Sequence, residues 1–331
     1  MDQKTQLLRA YKKEDLLIAA SFLRNGELVA VPTETVYGLA ADAKNSQAVQ
    51  KIFVAKDRPT NHPLIVHIAS FEKIGYWVQQ LPPLAAIVAK HFWPGPITLL
   101  FKKADHVSPV VTGGLDTIAI RIPDKLELLE LLTMLDTGVA APSANPHKRI
   151  SPTTAEHVLE SLSGKIAAVL DAGPCGVGVE STILDLTSEV PTILRQGPIT
   201  QAMLERVLSV PVKVIQHHTS RVAGNMKEHY QPYTKSALMT REQIQRYLVL
   251  PEHKDQRCAV MHYSGFENNM TTHVANVIFH KMSHSKDDYA RIMYQTLHTL
   301  DALGVDIILI EEPPRQDHWG DVWDRLLKAT A

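Results

Sequence analysis

The stretch VPTETVYGLAAD, residues 31 to 42, is the most informative part of this chain. It places two threonine hydroxyls, a carboxylate and a phenol, all within residues 33 to 37, between an apolar run and a turn glycine. Polar groups at this density are costly to bury at a strand end unless a ligand or internal partners satisfy them. Lys56 and Arg58 follow, closed by Pro59, and cations of this kind hold phosphate or carboxylate. The sequence therefore predicts a small-molecule pocket for an anion.

Composition places the chain among ordinary globular proteins. Its 331 residues are enough for two domains, and 45% apolar with 21% charged residues argues against disorder. No apolar run reaches the roughly 18 to 20 residues that span a bilayer, and the N-terminal residues lack the apolar core of a signal peptide. We therefore expect a cytoplasmic protein without membrane contact.

Charge and cysteine content limit the function further. The net charge is −1, and residues 1–210 carry nearly equal numbers of basic and acidic side chains, so bulk charge does not predict nucleic-acid binding. Cys175 and Cys258 have no partners at metal-ligand spacing, so we expect neither a structural disulfide nor a zinc site.

Short apolar runs alternate with helical patterns in the first two-thirds of the chain, which predicts an α/β fold. Strands are predicted at residues 27–32, 64–68, 97–101, 117–122, 138–141, 167–170, 182–186 and 192–194. One helix is predicted over residues 46–56, with its N-cap at residue 45 or 46, and another begins at residue 153 or 154. The first of these helices delivers Lys56 and Arg58 just past its C-terminus.

The last third of the chain has a different pattern. Residues 211–238 have little apolar periodicity and predict an ordered linker. Beyond them, strands are predicted at 257–262 and 306–310, and helices at 274–282, 288–303 and 319–328. This order predicts a small Rossmann-like α/β domain.

Several short motifs along the chain resemble, in order and approximate spacing, those of the threonylcarbamoyl-AMP synthases of the YrdC-like family. They are the opening stretch, Lys56 to Pro59, and the segments at 63–68, 141–145, 151–153, 173–175, 178–182 and 194–197. Residues 229–232, HYQP, resemble the linker motif of the long, two-domain form. The resemblance implies a YrdC-like catalytic domain over 1–210 with a twisted mixed sheet and helices. It also implies a linker over 211–238 that folds over the active site, and a C-terminal Rossmann-like domain over 239–331.

The resemblance also implies a reaction. L-threonine, bicarbonate and ATP would give L-threonylcarbamoyl-AMP and pyrophosphate, for modification of the tRNA adenosine next to the anticodon. A separate tRNA threonylcarbamoyl transferase would complete the modification, and direct contact with tRNA is left open. Mg²⁺ is expected because ATP arrives with it, although no carboxylate cluster in the sequence marks a dedicated metal site.

The family resemblance assigns roles to individual residues. Lys56 and Arg58 are the predicted catalytic cations, suited to the phosphates and the carbamate. The predicted ATP contacts are Lys56, Arg58, His62, Thr117, Ser143, Asn145, Ser151, Arg195 and Tyr230. The predicted L-threonine contacts are Thr35, His67, Arg121, Ala141 and Ser181.

Several of these residues also have a structural explanation. Lys56 and Arg58 could be a solvated surface pair, and His67 a satisfied core histidine. Serine and asparagine at strand ends are often turn formers, and threonine in a strand follows ordinary propensity. Tyr230 could pack the linker onto the first domain. Arg121 differs, because an unpaired charge in an apolar strand is costly and requires an anion.

Three departures from the family pattern concern loop geometry. Asp57 stands where a glycine is common, His62 where an asparagine is common, and His147 with Lys148 replaces a common Ser-Gly. The alternative function is a double-stranded RNA or ribosome-binding factor on the same fold, and a third is a relative acting on another amino acid or acyl acceptor. The combined threonine and phosphate contacts favour the enzyme.

Overall fold

The computed structural model describes residues 4–215, 230–266 and 276–331, which form two compact units. The first unit contains residues 4–147 and 151–215, and the second contains residues 148–150, 230–266 and 276–331. Of the predicted linker, residues 216–229 lie outside the described residues, so its fold over the active site stays a prediction.

The first unit is built on one mixed sheet. Its strands are β1 (Gln6–Arg9), β2 (Val29–Val31), β3 (Gly38–Asp42), β4 (Ile65–His67), β5 (Ile97–Lys102), β6 (Thr117–Arg121), β7 (Val139–Ala140), β8 (Ala168–Asp171), β9 (Thr182–Asp185), β10 (Thr192–Arg195) and β11 (Lys213–Val214). They lie in the order β1-β8-β2-β3-β7-β4-β6-β5-β9-β10-β11. Strand β4 runs parallel to β6, whereas β2 and β3 are antiparallel, so the predicted mixed sheet is confirmed.

Helices cover both faces of this sheet. They are α1 (Lys13–Arg24), α2 (Ser46–Lys56), α3 (Pro83–Phe92), α4 (Pro109–Thr112), α5 (Leu126–Leu135), α6 (Ala155–Leu162) and α7 (Gln201–Leu208), with a 3₁₀ turn at Phe71–Tyr76. Alternation along β2 explains the layering, because successive side chains point to opposite faces. Ala30 packs in one core with Ile52 of α2, and Val29 packs in the other with Leu23 of α1.

The elements predicted for the first unit are present. All eight predicted strands occur, and α2 spans the predicted residues 46–56. Asn45 is its N-cap, because its side-chain oxygen accepts the N–H groups of Gln47 and Ala48, both at 3.1 Å. The helix predicted from residue 153 or 154 is α6, capped by Thr154.

The second unit has a parallel four-stranded sheet. Its elements are β12 (Ser236–Met239), α8 (Arg241–Val249), β13 (Cys258–His262), β14 (Val277–Lys281), α9 (Lys286–Asp301), β15 (Ile307–Glu311) and α10 (Gly320–Ala329), with 3₁₀ turns at Pro251–His253 and Asp317–Trp319. The strand order is β12-β15-β13-β14, and each neighbouring pair is parallel. This is the predicted Rossmann-like arrangement.

The predicted helix over residues 274–282 is wrong. Residues 277–281 form β14, which pairs with β13 from Cys258↔Val277 to His262↔Lys281. Val277, Ile278 and Phe279 are β-branched or aromatic and suit a pleated surface. The periodicity of a short apolar run cannot tell a buried strand from a helix. Here the segment is a strand because it pairs with the edge of β13.

Candidate active site

The turn between β2 and β3 is closed by its own side chains. Thr33 Oγ1 accepts the N–H groups of Thr35 and Val36, both at 3.1 Å, and so fixes residues 33–36 in a tight loop. Tyr37 points the other way, since its hydroxyl donates to the Gly173 carbonyl at 2.8 Å. Burial raises the pKa of this phenol, so it stays protonated and serves as a structural anchor.

The same turn gathers motifs that are far apart in the sequence. Backbone hydrogen bonds join it to the loop after β7, to the segment before α6 and to the segment before β9. The bonds are Ala144 N–H to Tyr37 O (2.8 Å), Tyr37 N–H to Pro152 O (2.9 Å), Val177 N–H to Glu34 O (2.7 Å) and Gly178 N–H to Thr35 O (3.1 Å). Four of the predicted motifs therefore meet at one turn.

Arg121, at the end of β6, is held beside this turn. Its Nη1 donates to Thr35 Oγ1 at 2.9 Å and its Nε to the Gly95 carbonyl at 3.3 Å. Its Nη2 lies 2.6 Å from Glu34 Oε1, forming an ion pair in which both side chains are buried. The structure thus supplies the anion that the sequence required for a buried Arg121, and that anion is Glu34.

His67 lies next to Arg121, because β4 and β6 pair in the register His67↔Arg121. Burial, with the nearby Arg121 charge as a smaller cause, lowers the pKa of His67 to about 3. The imidazole is therefore neutral near pH 7. Its Nδ1 is buried and has no hydrogen-bond partner among the described residues, unlike a satisfied core histidine.

Ala141 continues β7 beside these strands, and its N–H donates to the Ile65 carbonyl at 3.0 Å. The predicted threonine contacts Thr35, His67, Arg121 and Ala141 therefore lie on adjacent strands and the turn beside them.

The buried side chain of Lys56 links α2 to the loop after β7. Its Nζ donates to the Ser143 carbonyl at 2.5 Å and also to the Asn145 carbonyl, and its own carbonyl accepts the His147 N–H at 2.7 Å. Burial, and secondarily Arg58, lowers the pKa of this ammonium. Lys56 is not a solvated surface residue, and it brings the predicted ATP contacts Ser143 and Asn145 to the end of α2.

Arg58 follows in a conformation set by its neighbour. Asp57 caps α2 in the left-handed region, with φ 52°, and this turns the chain sharply between the two cations. Arg58 is 8% exposed and donates to the Pro63 carbonyl at 3.2 Å. The His62 ring lies edge-on to His147, with centroids 5.4 Å apart. Lys56 and His62 therefore both contact the loop after β7, and Arg58 contacts Pro63, the residue after His62.

A second polar cluster surrounds Ser181. Its Oγ lies 2.7 Å from Thr98 Oγ1 and accepts from Arg195 Nη2 at 3.0 Å, while Arg195 Nε donates to the Ser181 carbonyl at 3.0 Å. Ser151 Oγ donates to Glu180 Oε1 at 2.6 Å. The structure thus joins Ser181, Arg195 and Ser151 to two residues that the sequence did not single out, Thr98 and Glu180.

Thr117 and Tyr230 are the remaining predicted ATP contacts. Thr117 is at the opposite end of β6 from Arg121, opposite Lys102 in β5, and forms no hydrogen bond to another predicted site residue in the described part of the chain. Tyr230 belongs to the second unit, where its ring lies 5.6 Å from that of Tyr294 and 5.4 Å from the Arg325 guanidinium carbon. The roles of both in ATP binding stay predictions.

Residues 148–150, between Asn145 and Ser151, belong to the second unit. Arg149 forms a β-bridge with Gln231, and its guanidinium carbon lies 3.9 Å from the centre of the Tyr233 ring. Lys148 has φ 67°, in the left-handed region. Both positions where the family commonly has glycine, 57 and 148, are therefore left-handed here, which explains the glycine preference.

Cys175, which lies in one of the site motifs, is not an activated nucleophile. Burial raises the pKa of the Cys175 thiol to about 12, so it is protonated and inert near pH 7. No group of three or more His, Cys, Asp or Glu side chains suited to a metal occurs within residues 4–215, 230–266 and 276–331. No helix in the described ranges has the length and apolar character needed to cross a membrane.

Comparison with known proteins places this site in a family. A model for Sua5, YciO and YrdC proteins, described as "Telomere recombination", matches residues 21–197. A second model, "Threonylcarbamoyl-AMP synthase, C-terminal domain", matches residues 199–331. The chain therefore belongs to the Sua5/YciO/YrdC family.

Relatives of matching length identify the enzyme class. The chain is 37% identical to the threonylcarbamoyl-AMP synthase of Pyrococcus abyssi, over 95% of this chain and 93% of that one. It is 38% identical to the Bacillus subtilis protein of the same name, over 94% and 91%. The crystal structure of P. abyssi Sua5 complexed with L-threonine matches with a TM-score of 0.88 and 35% identity, over 98% and 97%. The predicted L-threonylcarbamoyladenylate synthase of the long, two-domain form is confirmed.

Proposed function

We propose that this chain makes L-threonylcarbamoyl-AMP from L-threonine, bicarbonate and ATP, with release of pyrophosphate, at the site around residues 33–37. The product would pass to a separate transferase that modifies the tRNA adenosine next to the anticodon. The observation that carries the proposal is the meeting of the motifs at that turn. Arg121 and His67 lie on adjacent strands there, and Lys56 braces the loop of Ser143 and Asn145.

The amino-acid end of the site is proposed to lie at Arg121 and the two strands beside it. A buried guanidinium with unused N–H groups suits a carboxylate. Among the described residues, the Arg121 guanidinium contacts the Gly95 carbonyl, the Thr35 hydroxyl and the Glu34 carboxylate, which leaves N–H groups for a substrate. The neutral imidazole of His67 can donate to or accept from the threonine hydroxyl. That P. abyssi Sua5 was crystallised with L-threonine supports this assignment.

The nucleotide end is proposed to lie at the end of α2. Lys56 and Arg58 are two buried cations on either side of a left-handed residue, and Lys56 binds the loop of Ser143 and Asn145. Arg195 and the paired Ser151 and Glu180 complete the polar lining that we assign to ATP. Mg²⁺ would be held mainly by phosphate oxygens and water, because the described residues offer no cluster of three acidic or imidazole ligands.

The proposed chemistry needs no covalent intermediate with the enzyme. The threonine amine and bicarbonate give a carbamate and release water. A carbamate oxygen then attacks the α-phosphorus of ATP while pyrophosphate leaves. Catalysis then consists of aligning two anions and stabilising charge that develops on the phosphates. Buried cations do this more effectively than solvated ones, because the effective dielectric constant around them is lower. The inert Cys175 is consistent with such a mechanism.

The RNA-binding alternative is not favoured, because relatives that match almost the whole chain are named as synthases. Purified protein with ATP and Mg²⁺ tests the proposal through pyrophosphate release, with threonine and bicarbonate omitted one at a time. We expect release only when both are present, and a loss of at least about 100-fold in Arg58→Ala. Arg24→Ala, an exposed arginine on α1, is the matched control and should retain activity. Release that does not depend on threonine would contradict the proposal.

A further inference from the structure

Glu34 has one carboxylate oxygen that the fold leaves unused. The residue is 8% exposed, and its Oε1 forms the ion pair with Arg121 at 2.6 Å. Its Oε2 is buried and accepts no hydrogen bond from any residue in the described part of the chain. A buried, unsatisfied carboxylate oxygen is costly, and such atoms in folded proteins commonly have a ligand or water as partner.

The contact to Arg121 does not explain this arrangement by itself. The Arg121 Nη2 and Glu34 Oε1 atoms are close, but the N–H bond is not aligned on the oxygen as in a hydrogen bond. A carboxylate placed only to neutralise an arginine would gain most from the bidentate geometry that the two groups favour. Glu34 instead turns one oxygen to the guanidinium and leaves the other without a donor.

The backbone on both sides holds Glu34 in place. Its carbonyl accepts the Val177 N–H at 2.7 Å, and Thr33 fixes the turn in which it lies. The backbone of Glu34 is therefore fixed in the turn at which the motifs meet, with its side chain beside Arg121. Positive and negative side chains are fixed next to each other, and each has capacity for one more polar partner.

We propose that Glu34 binds the ammonium group of the amino-acid substrate, so that Glu34 and Arg121 together form a receptor for an α-amino acid zwitterion. This inference rests on the proposed function, because it assigns the substrate carboxylate to Arg121. The substrate then places its carboxylate on the free N–H groups of Arg121 and its ammonium on Glu34 Oε2. When bicarbonate converts the ammonium to a carbamate, the nitrogen loses two protons, one of which leaves with the bicarbonate hydroxide as water while the other passes to solvent. The remaining N–H still donates to Oε2, and the carbamate oxygens are repelled from Glu34.

A residue that only orients Arg121 and one that binds the ammonium differ in a measurable way. The discriminating ligand is (R)-3-hydroxybutanoate, which keeps the carboxylate and hydroxyl of threonine but has hydrogen in place of the ammonium. If Glu34 binds the ammonium, Glu34→Gln weakens threonine binding and leaves the analogue nearly unchanged. If Glu34 only orients Arg121, both ligands lose affinity together.

Calorimetric titration of the full chain carries out the test. We expect wild-type protein to bind threonine at least tenfold more tightly than the analogue, and Glu34→Gln to bind threonine roughly tenfold to a hundredfold more weakly, so that the preference is lost. Glu27→Gln, which removes an exposed carboxylate paired with Lys51, is the matched control and should bind as the wild type does. An equal loss for both ligands, or an unchanged preference in Glu34→Gln, would overturn the inference.

Two further measurements keep the test decisive. Loss of the charge beside Arg121 could prevent folding of Glu34→Gln, so thermal unfolding is recorded first. Glu34→Asp keeps the negative charge but moves it away from the substrate by one methylene. This variant should bind threonine more weakly and bind the analogue as the wild type does. If neither variant folds, equal affinity of the wild type for the two ligands overturns the inference. Wild-type protein that binds no threonine at all would instead contradict the proposed function.

Discussion

Gly197 is the position at which one added methyl group should damage the site without changing any polar group. An alanine Cβ at this position would lie 2.3 Å from the Thr182 nitrogen and 2.7 Å from the Ser181 carbonyl carbon. Ordinary contact begins near 3.4 Å, so either β9 or the turn at 197 has to move by about 1 Å. Both neighbours are backbone atoms, which cannot rotate away as a side chain can.

The displacement falls on the cluster that holds Ser181. Thr98 and Arg195 reach the Ser181 hydroxyl at 2.7 and 3.0 Å, and a 1 Å shift breaks at least one of these hydrogen bonds. If Ser181 contacts threonine as proposed, a displacement of this size can lower the rate about 100-fold. We therefore expect Gly197→Ala to reduce kcat/KM for threonine by about two orders of magnitude.

The assay is pyrophosphate release at varied threonine, with thermal unfolding measured on the same samples. Gly75→Ala is the matched control, because a Cβ at that position meets nothing within 4 Å. It should keep both activity and stability. A folded Gly197→Ala protein with kcat/KM within about threefold of the wild type would refute the reasoning that Ser181 is placed by this contact.

Two further predictions concern stability. The pKa of His67 is 6.5 in the unfolded chain and about 3 in the folded chain, so wild-type stability falls as the pH is lowered between these values. From pH 7 to pH 5 the loss of unfolding free energy due to His67 is about 2 kcal/mol. Denaturant titrations should show that His67→Asn lacks this loss. An equal pH dependence in both proteins would mean that His67 titrates normally in the fold. Lys148 has φ 67°, so Lys148→Gly should be about 1 kcal/mol more stable than Lys148→Ala, which loses the same side chain but keeps the strained backbone. Equal unfolding temperatures of these two variants would argue against a left-handed residue 148.

Local patterns predicted much of the fold. Helix α2 could be read from its N-cap and its apolar spacing, and the strands of the first unit from short apolar runs bounded by glycine or proline. Strand β14 could not, because its five residues fit either structure and only pairing with β13 selects the strand.

The site was predictable as a set of motifs but not as a set of contacts. The motifs named Arg121, Ser181 and Lys56, because their residue types are unusual in apolar surroundings. Their partners depend on which strands and turns become neighbours, so the pairing of Arg121 with Glu34, 87 residues away, and of Ser181 with Thr98, 83 residues away, required the fold. A threonine such as Thr98 in a strand carries no local signal that it supports a binding residue.

Isotope tracing tests whether this chain builds threonylcarbamoyl-AMP from threonine, bicarbonate and ATP. The protein is incubated with ATP, Mg²⁺, L-threonine and ¹³C-labelled bicarbonate, and the adenylate product is examined by mass spectrometry. We expect an adduct of AMP with one threonine and one carbonyl carbon, heavier by about one mass unit than the adduct from unlabelled bicarbonate. AMP or ADP without such an adduct, or an adduct whose mass does not change with the label, would contradict it.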